Sequence, residues 1–396
     1  MTSKDEPMTL SLVDDIRSVE SDGWNRLARR ADYSPFLEHE FLAAAESSGC
    51  ASPESGWYPR HFVLKKGGRI VGAAPAYIKT HSMGEFIFDQ GLAQAAAEMG
   101  HDYYPKLVGT LPFTPSPGYR IMADPDFDEK AIVTAVMEGM RSYRDHAGLS
   151  SHSLLFVEPE WESLLDVTAD SSTSTSGFLR WAHQYFLWEN DGYRSFDDYL
   201  SRFSKNQRRN IRRERTSVRD SGIRIETLKG NDLNDLIMDR MYDFYESTNR
   251  NFGPWAAFFL NRTWFRDIAR LWNDRIVIFG AWAGGRADPL AMSFLVKKGR
   301  HLVGRYWGAS EFVKNLHFEL CYYAPIEFAV NEGCLTFDPG MGSPHKARRG
   351  FRSREFGSYH AFKSPEVAAL FESVLPMANN AERAAIGELD QSIPWR

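Results

Sequence analysis

Residues 277–297 read VIFGAWAGGRADPLAMSFLVK, and residues 61–79 read HFVLKKGGRIVGAAPAYIK. Each stretch is an apolar run, a Gly-Gly-Arg turn and a second apolar run that ends at a lysine. Two strand-like runs around a turn with glycine predict a β-hairpin. A helical pattern precedes each hairpin, over 36–48 and 255–272, and more strands and a helix follow. The repeat therefore predicts one mixed α/β unit that is used twice.

Length and composition agree with two domains. A chain of 396 residues is long for one domain, and 43% hydrophobic residues permit a large core. The net charge of −5 gives no overall case for a nucleic-acid binder. Cys50, Cys321 and Cys334 lack metal-ligand spacing and a disulfide framework, so we expect reduced thiols and no metal. We find no apolar leader and no apolar run of membrane-spanning length, so we expect a cytoplasmic protein without a membrane span.

A run of serine and threonine marks the expected domain boundary. Residues 170–177 read DSSTSTSG, which has little to bury and is typical of a linker. We predict a first domain over 8–176, a second domain over 177–363 and a helical tail over 364–396. Periodicity also predicts helices over 129–146 and 231–248.

A site is predicted after a short strand of the second half. Residues 315–350 read as a helix, a glycine stop at Gly333, a strand over 334–337 and a glycine-rich loop. Ligands of open α/β sheets gather beyond the carboxyl ends of strands. The side chains of this loop are therefore candidates for chemistry.

Four charged or titratable residues follow that strand. Asp338 or His345 would accept a substrate proton, and Lys346 or Arg349 would stabilise developing negative charge. The alternative interpretation is a turn whose charges are merely exposed. The density of glycine, histidine, lysine and arginine after a buried strand favours a functional role.

A strongly basic segment spans residues 202–221. As a helix it places Phe203, Ile211 and Val218 on one side. The opposite arc of about 100° carries the basic residues Lys205, Arg208, Arg209, Arg212 and Arg219. The segment is either a solvated helix face or a phosphate- or RNA-contacting helix, since guanidinium groups match phosphate oxygens.

Two stiff loops of the first half have aromatic and proline-rich sequences. Residues 103–106 read YYPK, and residues 112–118 read PFTPSPG. Such loops either line a binding cleft or form structural turns. His39 is either a substrate contact or part of a helix start. We expect structural roles for His317 and Glu319.

Taken together, these segments resemble the FemAB-like family, which is related to GNAT acyltransferases. The resemblance covers most of residues 35–350. It rests on FLEHEF (36–41), YYPK (103–106) with PFTP (112–115), RRNIRR (208–213), GRYWG (304–308), HFE (317–319) and GSPHK (342–346). It implies an α/β protein with mixed sheets, built from tandem GNAT-like domains with a C-terminal helical tail.

The resemblance also implies an activity, that of an N-acyltransferase which forms an amide without a resident cofactor. The better-known Fem relatives move an amino acid from aminoacyl-tRNA to an amine of a peptidoglycan precursor. The loop with which GNAT enzymes hold the pyrophosphate of acetyl-CoA has no counterpart in GASEFVK at 308–314. We therefore expect aminoacyl-tRNA as co-substrate, with tRNA and a peptidoglycan precursor or another small amine acceptor as partners. The alternatives are an acyl-CoA-dependent N-acetyltransferase and a non-catalytic protein that binds a cell-wall peptide or a partner.

The residues are assigned accordingly, with the acceptor in the first domain and the donor in the second. The catalytic candidates are Asp338, His345 and Lys346. The candidates for binding donor phosphates are Lys205, Arg208, Arg209, Arg212, Arg305 and Arg349. The candidates for binding the acceptor are His39, Tyr103, Tyr104, Lys106 and Thr114. The oligomeric state is left open.

Overall fold

The structure of the protein is a computed structural model that describes residues 6–169, 177–253, 256 and 258–396. Most of the linker expected at 170–177 lies outside these residues, as does the start of the helical pattern at 255. No helix within the described ranges is both long and apolar enough to cross a membrane.

Strands and helices are numbered in chain order. The strands are β1 (Thr9–Val13), β2 (Trp57–Pro59), β3 (His61–Lys66), β4 (Arg69–Ala74), β5 (Ala76–Lys79), β6 (Lys106–Gly109), β7 (Met122–Ala123), β8 (Ser151–Leu154), β9 (Leu179–Glu189), β10 (Ile223–Lys229), β11 (Ile276–Ala283), β12 (Ala291–Lys298), β13 (His301–Ala309), β14 (Thr336–Asp338) and β15 (Arg352–Phe362). The α-helices are α1 (Ser21–Ala28), α2 (His39–Ser47), α3 (Gln90–Glu98), α4 (Glu129–His146), α5 (Glu162–Ala169), α6 (Phe196–Ser201), α7 (Lys205–Asp220), α8 (Asp235–Arg250), α9 (Arg262–Trp272), α10 (Leu316–Phe318), α11 (Ala324–Asn331) and α12 (Pro365–Gln391). A π-helical turn (Glu319–Tyr323) joins α10 to α11, and short 3₁₀ helices cover Ile16–Ser18, Pro35–Leu37, Pro53–Ser55, Pro159–Trp161, Gly230–Asp232 and Pro344–Arg349.

The chain forms two compact units. Unit 1 comprises the chain up to Gln184 together with Glu355–Ala384, and unit 2 comprises Tyr185–Arg354 together with Ala385–Arg396. The chain passes from one unit to the other within β9, β15 and α12. The sequence predicts three consecutive segments, 8–176, 177–363 and 364–396. In the structure, by contrast, each unit combines two separate segments of the chain.

Unit 1 contains the first predicted hairpin. Strands β3 and β4 pair antiparallel, with Phe62 opposite Ala74, inside a four-stranded sheet of order β1-β3-β4-β7. A second run of strands has the order β15-β8-β6-β5-β2, in which β6 and β8 are parallel. Helix α4 lies between β6 and β8 in the chain, as a parallel connection requires, and has the predicted bounds.

Unit 2 also contains a hairpin and a parallel pair, here within one run of strands. Its strand order is β10-β11-β12-β13-β14-β9, and the second predicted hairpin is the antiparallel pair β11–β12, with Val277 opposite Leu295. The connection over 284–290 is longer than a Gly-Gly turn. Strands β13 and β14 are parallel, and the chain between them is helical over α10, the π turn and α11. Each hairpin forms the second and third strands of its run, and the predicted mixed α/β fold is confirmed.

Helix α12 begins where the tail was expected, and its first half belongs to unit 1. Val367, Phe371 and Leu375 are buried in a cluster with Tyr103 and Ala96. The ring of Phe371 lies parallel to that of Tyr103, with 6.2 Å between the ring centres. This part of the helix is therefore packed against the core.

Buried histidines make the stability of unit 1 sensitive to acid. Burial lowers the pKa of His152 and of His360 from 6.5 to about 3. Between these values the unfolded chain takes up protons that the folded protein does not, so we expect stability to fall as the pH drops from about 6.5 towards 3. Urea midpoints at neutral and mildly acidic pH measure this.

The matched variants are His360→Phe and His146→Gln. The first removes a buried titrating group and should flatten the pH dependence. The second changes an exposed histidine on α4 and is the matched control. Equal slopes for all three proteins would contradict the assignment.

Candidate functional site

The candidate site of unit 2 begins where β13 and β14 part. Their last paired residues are Val303 and Asp338. A Cβ at the next residue of β13, Gly304, would lie 3.3 Å from the carbonyl carbon of Pro339, so the glycine allows the two backbones to pass closely. The Asp338 side chain is buried, and its Oδ1 accepts a hydrogen bond of 2.8 Å from the Gly340 amide. An acid therefore lies at the carboxyl end of a buried strand, as predicted.

Lys346 lies in the segment that the sequence predicts to be a loop and that forms the 3₁₀ helix Pro344–Arg349. Its Nζ donates to the carbonyl oxygens of Gly340 at 2.6 Å and Met341 at 2.9 Å. An ammonium has three donors, and the described residues show no acceptor for the third. Burial lowers its pKa to about 8, against the attraction of Asp338. Lys346 is therefore mostly protonated at neutral pH and can donate to a ligand.

Arg349 ends the same 3₁₀ helix and is buried. Its Nη1 donates to the His345 carbonyl at 3.0 Å, and its Nη2 donates to Glu214 Oε2 at 2.9 Å. Its guanidinium carbon lies 3.6 Å from the centre of the Phe318 ring. Both terminal nitrogens of Arg349 therefore bond to other groups of the protein. The expected contact of Arg349 with a donor phosphate stays a prediction.

Two histidines lie near this lysine. His345 is exposed, with its ring 6.0 Å from that of Phe318. The His317 ring lies 5.2 Å from Trp307 and 5.4 Å from Tyr322. Burial, followed by the charges of Arg349, Lys346 and His345, lowers the pKa of His317 to about 4. A neutral imidazole thus lies near Lys346. The position of His317 in a predicted helix does not indicate this proximity.

Glu319 has the structural partner that its position suggests. Its carboxylate accepts from Arg215 Nη2 at 2.9 Å and from Nε of the same arginine at 3.1 Å. Arg215 also bonds Glu327 at 2.6 Å. The arginine therefore joins α7 to the helical segment that begins at α10.

Helix α7 confirms the predicted basic helix. Ser204 accepts from the Gln207 amide at its start, and Ile211 and Val218 are buried. Its predicted phosphate-binding residues are half-buried or exposed. They are Lys205, Arg208, Arg209 and Arg212.

The members of this basic face differ in their pairing. Arg208 Nη1 donates to the Phe203 carbonyl at 2.5 Å, and Arg212 lies 3.1 Å from Asp197, with both side chains exposed. Within the described part of the chain, no carboxylate pairs with the exposed Lys205, Arg209 or Arg219. The helix therefore presents uncompensated positive charge to solvent.

Arg305, the remaining predicted phosphate contact, lies at an irregularity of β13. Phe294 of β12 pairs with Tyr306, and Leu295 pairs with Gly304, so Arg305 is the extra residue of a bulge. Its Nη2 donates to the Tyr306 hydroxyl at 3.2 Å.

In unit 1, Lys106 lies in a buried polar cluster. Its Nζ is 2.8 Å from each of three oxygens, on Glu85, Asp89 and Ser82. The ammonium donates hydrogen bonds to Ser82 and Asp89 and forms an ion pair with Glu85. Sequence reasoning missed Ser82, Glu85 and Asp89, because residues 80–89 have no periodic pattern.

The same cluster brings two predicted acceptor residues together. The Tyr103 hydroxyl donates to Asp89 Oδ2 at 2.8 Å, and the Tyr104 hydroxyl lies 2.8 Å from Ser82 Oγ. Tyr104 is partly exposed, whereas Tyr103 and Lys106 are buried. Tyr104 is thus the member of this group that a ligand can reach from solvent.

The other two acceptor candidates have partners of their own. His39 begins α2, where its Nε2 lies 2.9 Å from the Ile16 carbonyl and its amide donates to Asn25 Oδ1. Thr114 Oγ1 donates to the Pro112 carbonyl at 3.0 Å. Their roles in acceptor binding stay predictions.

The end of the 3₁₀ helix offers a test of its packing. Gly350 has φ +74, and a Cβ there would lie 2.5 Å from Trp395 and 3.0 Å from Phe203. Gly222 has φ +72 with nothing near its Cβ position, so it is a matched control. We expect Gly350→Ala to lower the free energy of unfolding by about 1–3 kcal/mol more than Gly222→Ala, because only the former adds a clash to the shared backbone strain. Equal urea midpoints would contradict the packing.

Comparisons with known proteins were made on sequence and on structure. The FemAB-like family model, described as peptidoglycan biosynthesis/recognition, matches residues 15–396. No curated protein sequence matches the chain. A FemX structure is 11% identical, with a TM-score of 0.56, and the match covers 90% of this chain and 98% of FemX.

Two further structures are similar to the same extent. The C-terminal domain of a putative lysylphosphatidylglycerol synthetase from Agrobacterium fabrum is 10% identical, with a TM-score of 0.54 and coverage of 91% of this chain and 96% of that one. A conserved protein of unknown function from Bacteroides thetaiotaomicron is also 10% identical, with a TM-score of 0.54 and coverage of 89% and 99%. At such identities the likeness concerns the fold alone, and the predicted α/β fold with mixed sheets is confirmed.

Proposed function

Because the chain belongs to the FemAB-like family, we propose that it is a transferase that forms an amide by direct attack of an amine on an activated acyl group. The observation that carries this proposal is the Lys346 ammonium, in the 3₁₀ helix that follows β14, which has one N–H without a hydrogen-bond acceptor among the described residues. A buried cation with a spare donor is suited to an oxyanion that develops during acyl transfer.

The described residues supply parts for each step. The attacking amine nitrogen forms a bond to the acyl carbon, and the carbonyl oxygen gains negative charge that Lys346 stabilises. The nitrogen then loses a proton to Asp338 or His345. The bond from the acyl carbon to the leaving oxygen breaks, and the leaving group takes up a proton.

We propose aminoacyl-tRNA as the donor and an amine of a peptidoglycan precursor as the acceptor. The exposed basic face of α7 supports a polyanionic donor, because Lys205, Arg209 and Arg219 have no carboxylate partner among the described residues. The description of the family supports the acceptor class. The fold shared with a domain of a putative lysylphosphatidylglycerol synthetase supports an aminoacyl group as cargo.

Charge reversal on this face tests the donor. We expect Arg209→Glu with Arg219→Glu to weaken binding of charged tRNA by at least 10-fold at low salt and to reduce the salt dependence, since each lost phosphate contact lowers the slope by about 0.9. Fluorescence anisotropy with labelled charged tRNA measures both quantities. Arg194→Glu, at a highly exposed position outside α7, is the matched control.

The outcomes separate the candidate donors. Unchanged affinity in the double variant, or no binding by the parent at low salt, would remove tRNA as donor. Thermal stabilisation by acyl-CoA together with transfer from it would instead support the acyl-CoA alternative.

The pKa of Lys346 predicts how the transfer rate depends on pH. Burial holds this pKa near 8, so the protonated form is lost as the pH rises through that value. We expect kcat to fall above pH of about 8 if the ammonium stabilises the oxyanion. A pH profile of kcat at saturating donor and acceptor measures this, and Lys346→Arg should lack the falling limb because arginine stays charged. A falling limb retained in Lys346→Arg would assign it to another group.

A further inference from the structure

Glu214 is an acid on a helix whose exposed face is basic. It lies on α7, and its Oε2 accepts from Arg349 Nη2 at 2.9 Å and from the Tyr323 hydroxyl. The Glu214 side chain is partly buried, and that of Arg349 is 5% exposed. The contact thus joins the basic helix to the 3₁₀ helix Pro344–Arg349 and to the end of the π turn.

Arg349 is the residue through which Glu214 reaches that 3₁₀ helix. Its Nη1 donates back to the His345 carbonyl, and its own carbonyl accepts from the Tyr199 hydroxyl at 2.8 Å. The planar guanidinium lies against the Phe318 ring. The side chain of Arg349 therefore bonds back to the backbone of its own 3₁₀ helix through Nη1. Glu214 fixes the position of the other terminal nitrogen, Nη2.

The position of Lys346 depends on this turn. Its ammonium is held by the Gly340 and Met341 carbonyls, which are short-range contacts within the same loop. A shift of the turn would move the spare donor, and a displacement of about 1 Å is enough to slow a positioned reaction severely. Without Glu214, the buried guanidinium of Arg349 would lose its anionic partner, and the turn would have to move to hydrate it.

We propose that Glu214 is a positioning residue for Lys346, and that it acts by fixing Arg349 and with it the 3₁₀ helix Pro344–Arg349. The inference rests on the proposed function for its kinetic consequence, whereas its structural consequence can be measured without substrates. Glu214 does not need to touch either substrate in this role. Its effect is to set where the Lys346 ammonium lies and how well it is shielded from water.

The substrate-free arm is competitive labelling of Lys346 with an amine-reactive reagent, followed by peptide mass spectrometry over a pH series. In the parent, the labelling midpoint reports the lowered pKa near 8. In Glu214→Gln we expect the midpoint to move upward by about one unit or more, because a loosened turn hydrates the ammonium. Glu226→Gln, a half-buried glutamate paired with Arg224, should leave the midpoint unchanged.

The kinetic arm uses the transfer reaction. We expect Glu214→Gln to lower kcat by about 10-fold or more and to change KM by less than about 2-fold, the pattern of a residue that positions a catalytic group. Tyr323→Phe removes only the second hydrogen bond to Glu214 and should move kcat and the labelling midpoint in the same direction by a smaller amount. Glu214→Asp keeps the charge and should recover part of the loss.

The results separate this inference from the proposed function. If the parent shows no transfer but the labelling midpoint rises in Glu214→Gln, the proposed function fails and the positioning role stands. If Glu214→Gln is folded by circular dichroism and its labelling midpoint equals that of the parent, the positioning role is overturned. A raised KM with an unchanged kcat would also overturn it, because Glu214 would then act in binding. If Glu214→Gln does not fold, an unchanged midpoint in Tyr323→Phe overturns the proposal.

Discussion

Replacement of Lys346 by methionine is expected to lower the rate of amide formation by about 10²–10³-fold, with the protein still folded. The ammonium is the buried cation whose spare donor can meet the oxyanion, and removal of one such donor typically has this effect. Methionine has a similar length and fits a buried site. Single-turnover kinetics with the donor and acceptor identified for the parent would measure the loss.

The control is Lys314→Met, an exposed lysine of the same unit. It should leave the rate within about 2-fold, as surface substitutions away from a site usually do. Lys346→Arg should keep only part of the parental activity at neutral pH, because the larger planar guanidinium cannot keep both carbonyl contacts in the same space. A Lys346→Met protein with parental rates would show that this lysine only ties the loop together.

Periodic parts of the fold could be predicted from the sequence. The hairpins of β3–β4 and β11–β12, helix α4 and the basic helix α7 each repeat a local pattern, apolar runs around a turn or buried residues at helical spacing. Ile211 and Val218 are buried as the helical period requires. Local patterns of this kind are set by residues a few positions apart.

Contacts between distant residues could not be predicted in this way. The segment 344–349 reads as a glycine-flanked loop, yet it forms a 3₁₀ helix around Arg349, whose anionic partner Glu214 is 135 positions away. Asp338 and Lys346 can be proposed from their place after a strand, whereas Glu214 carries no such signal. Side chains that act through an ion pair between separate elements are revealed by coordinates and not by periodicity.

Replacement of Lys106 by methionine is expected to lower the free energy of unfolding of unit 1 by about 3–5 kcal/mol. The buried ammonium lies 2.8 Å from carboxylate oxygens of both Glu85 and Asp89, so its removal leaves two buried acids without their cation. Burial already raises the pKa of Glu85, which shows that its charged form is poorly solvated there. Urea denaturation, followed by circular dichroism, measures the loss.

The matched control is Lys130→Met, an exposed lysine of α4, which should change stability by less than about 0.5 kcal/mol. Adding Glu85→Gln and Asp89→Asn to Lys106→Met should restore part of the stability, because no unpaired charge then remains. Lys106 is held by hydrogen bonds to Asp89 and Ser82 and by an ion pair with Glu85, so we expect the substitution to act through stability and not through a lost ligand contact. A stable Lys106→Met protein with weakened acceptor binding would contradict this and support direct binding by Lys106. The defect should also shrink as the pH falls, because protonation neutralises the two acids that Lys106→Met leaves unpaired, whereas it breaks their ion pairs in the parent.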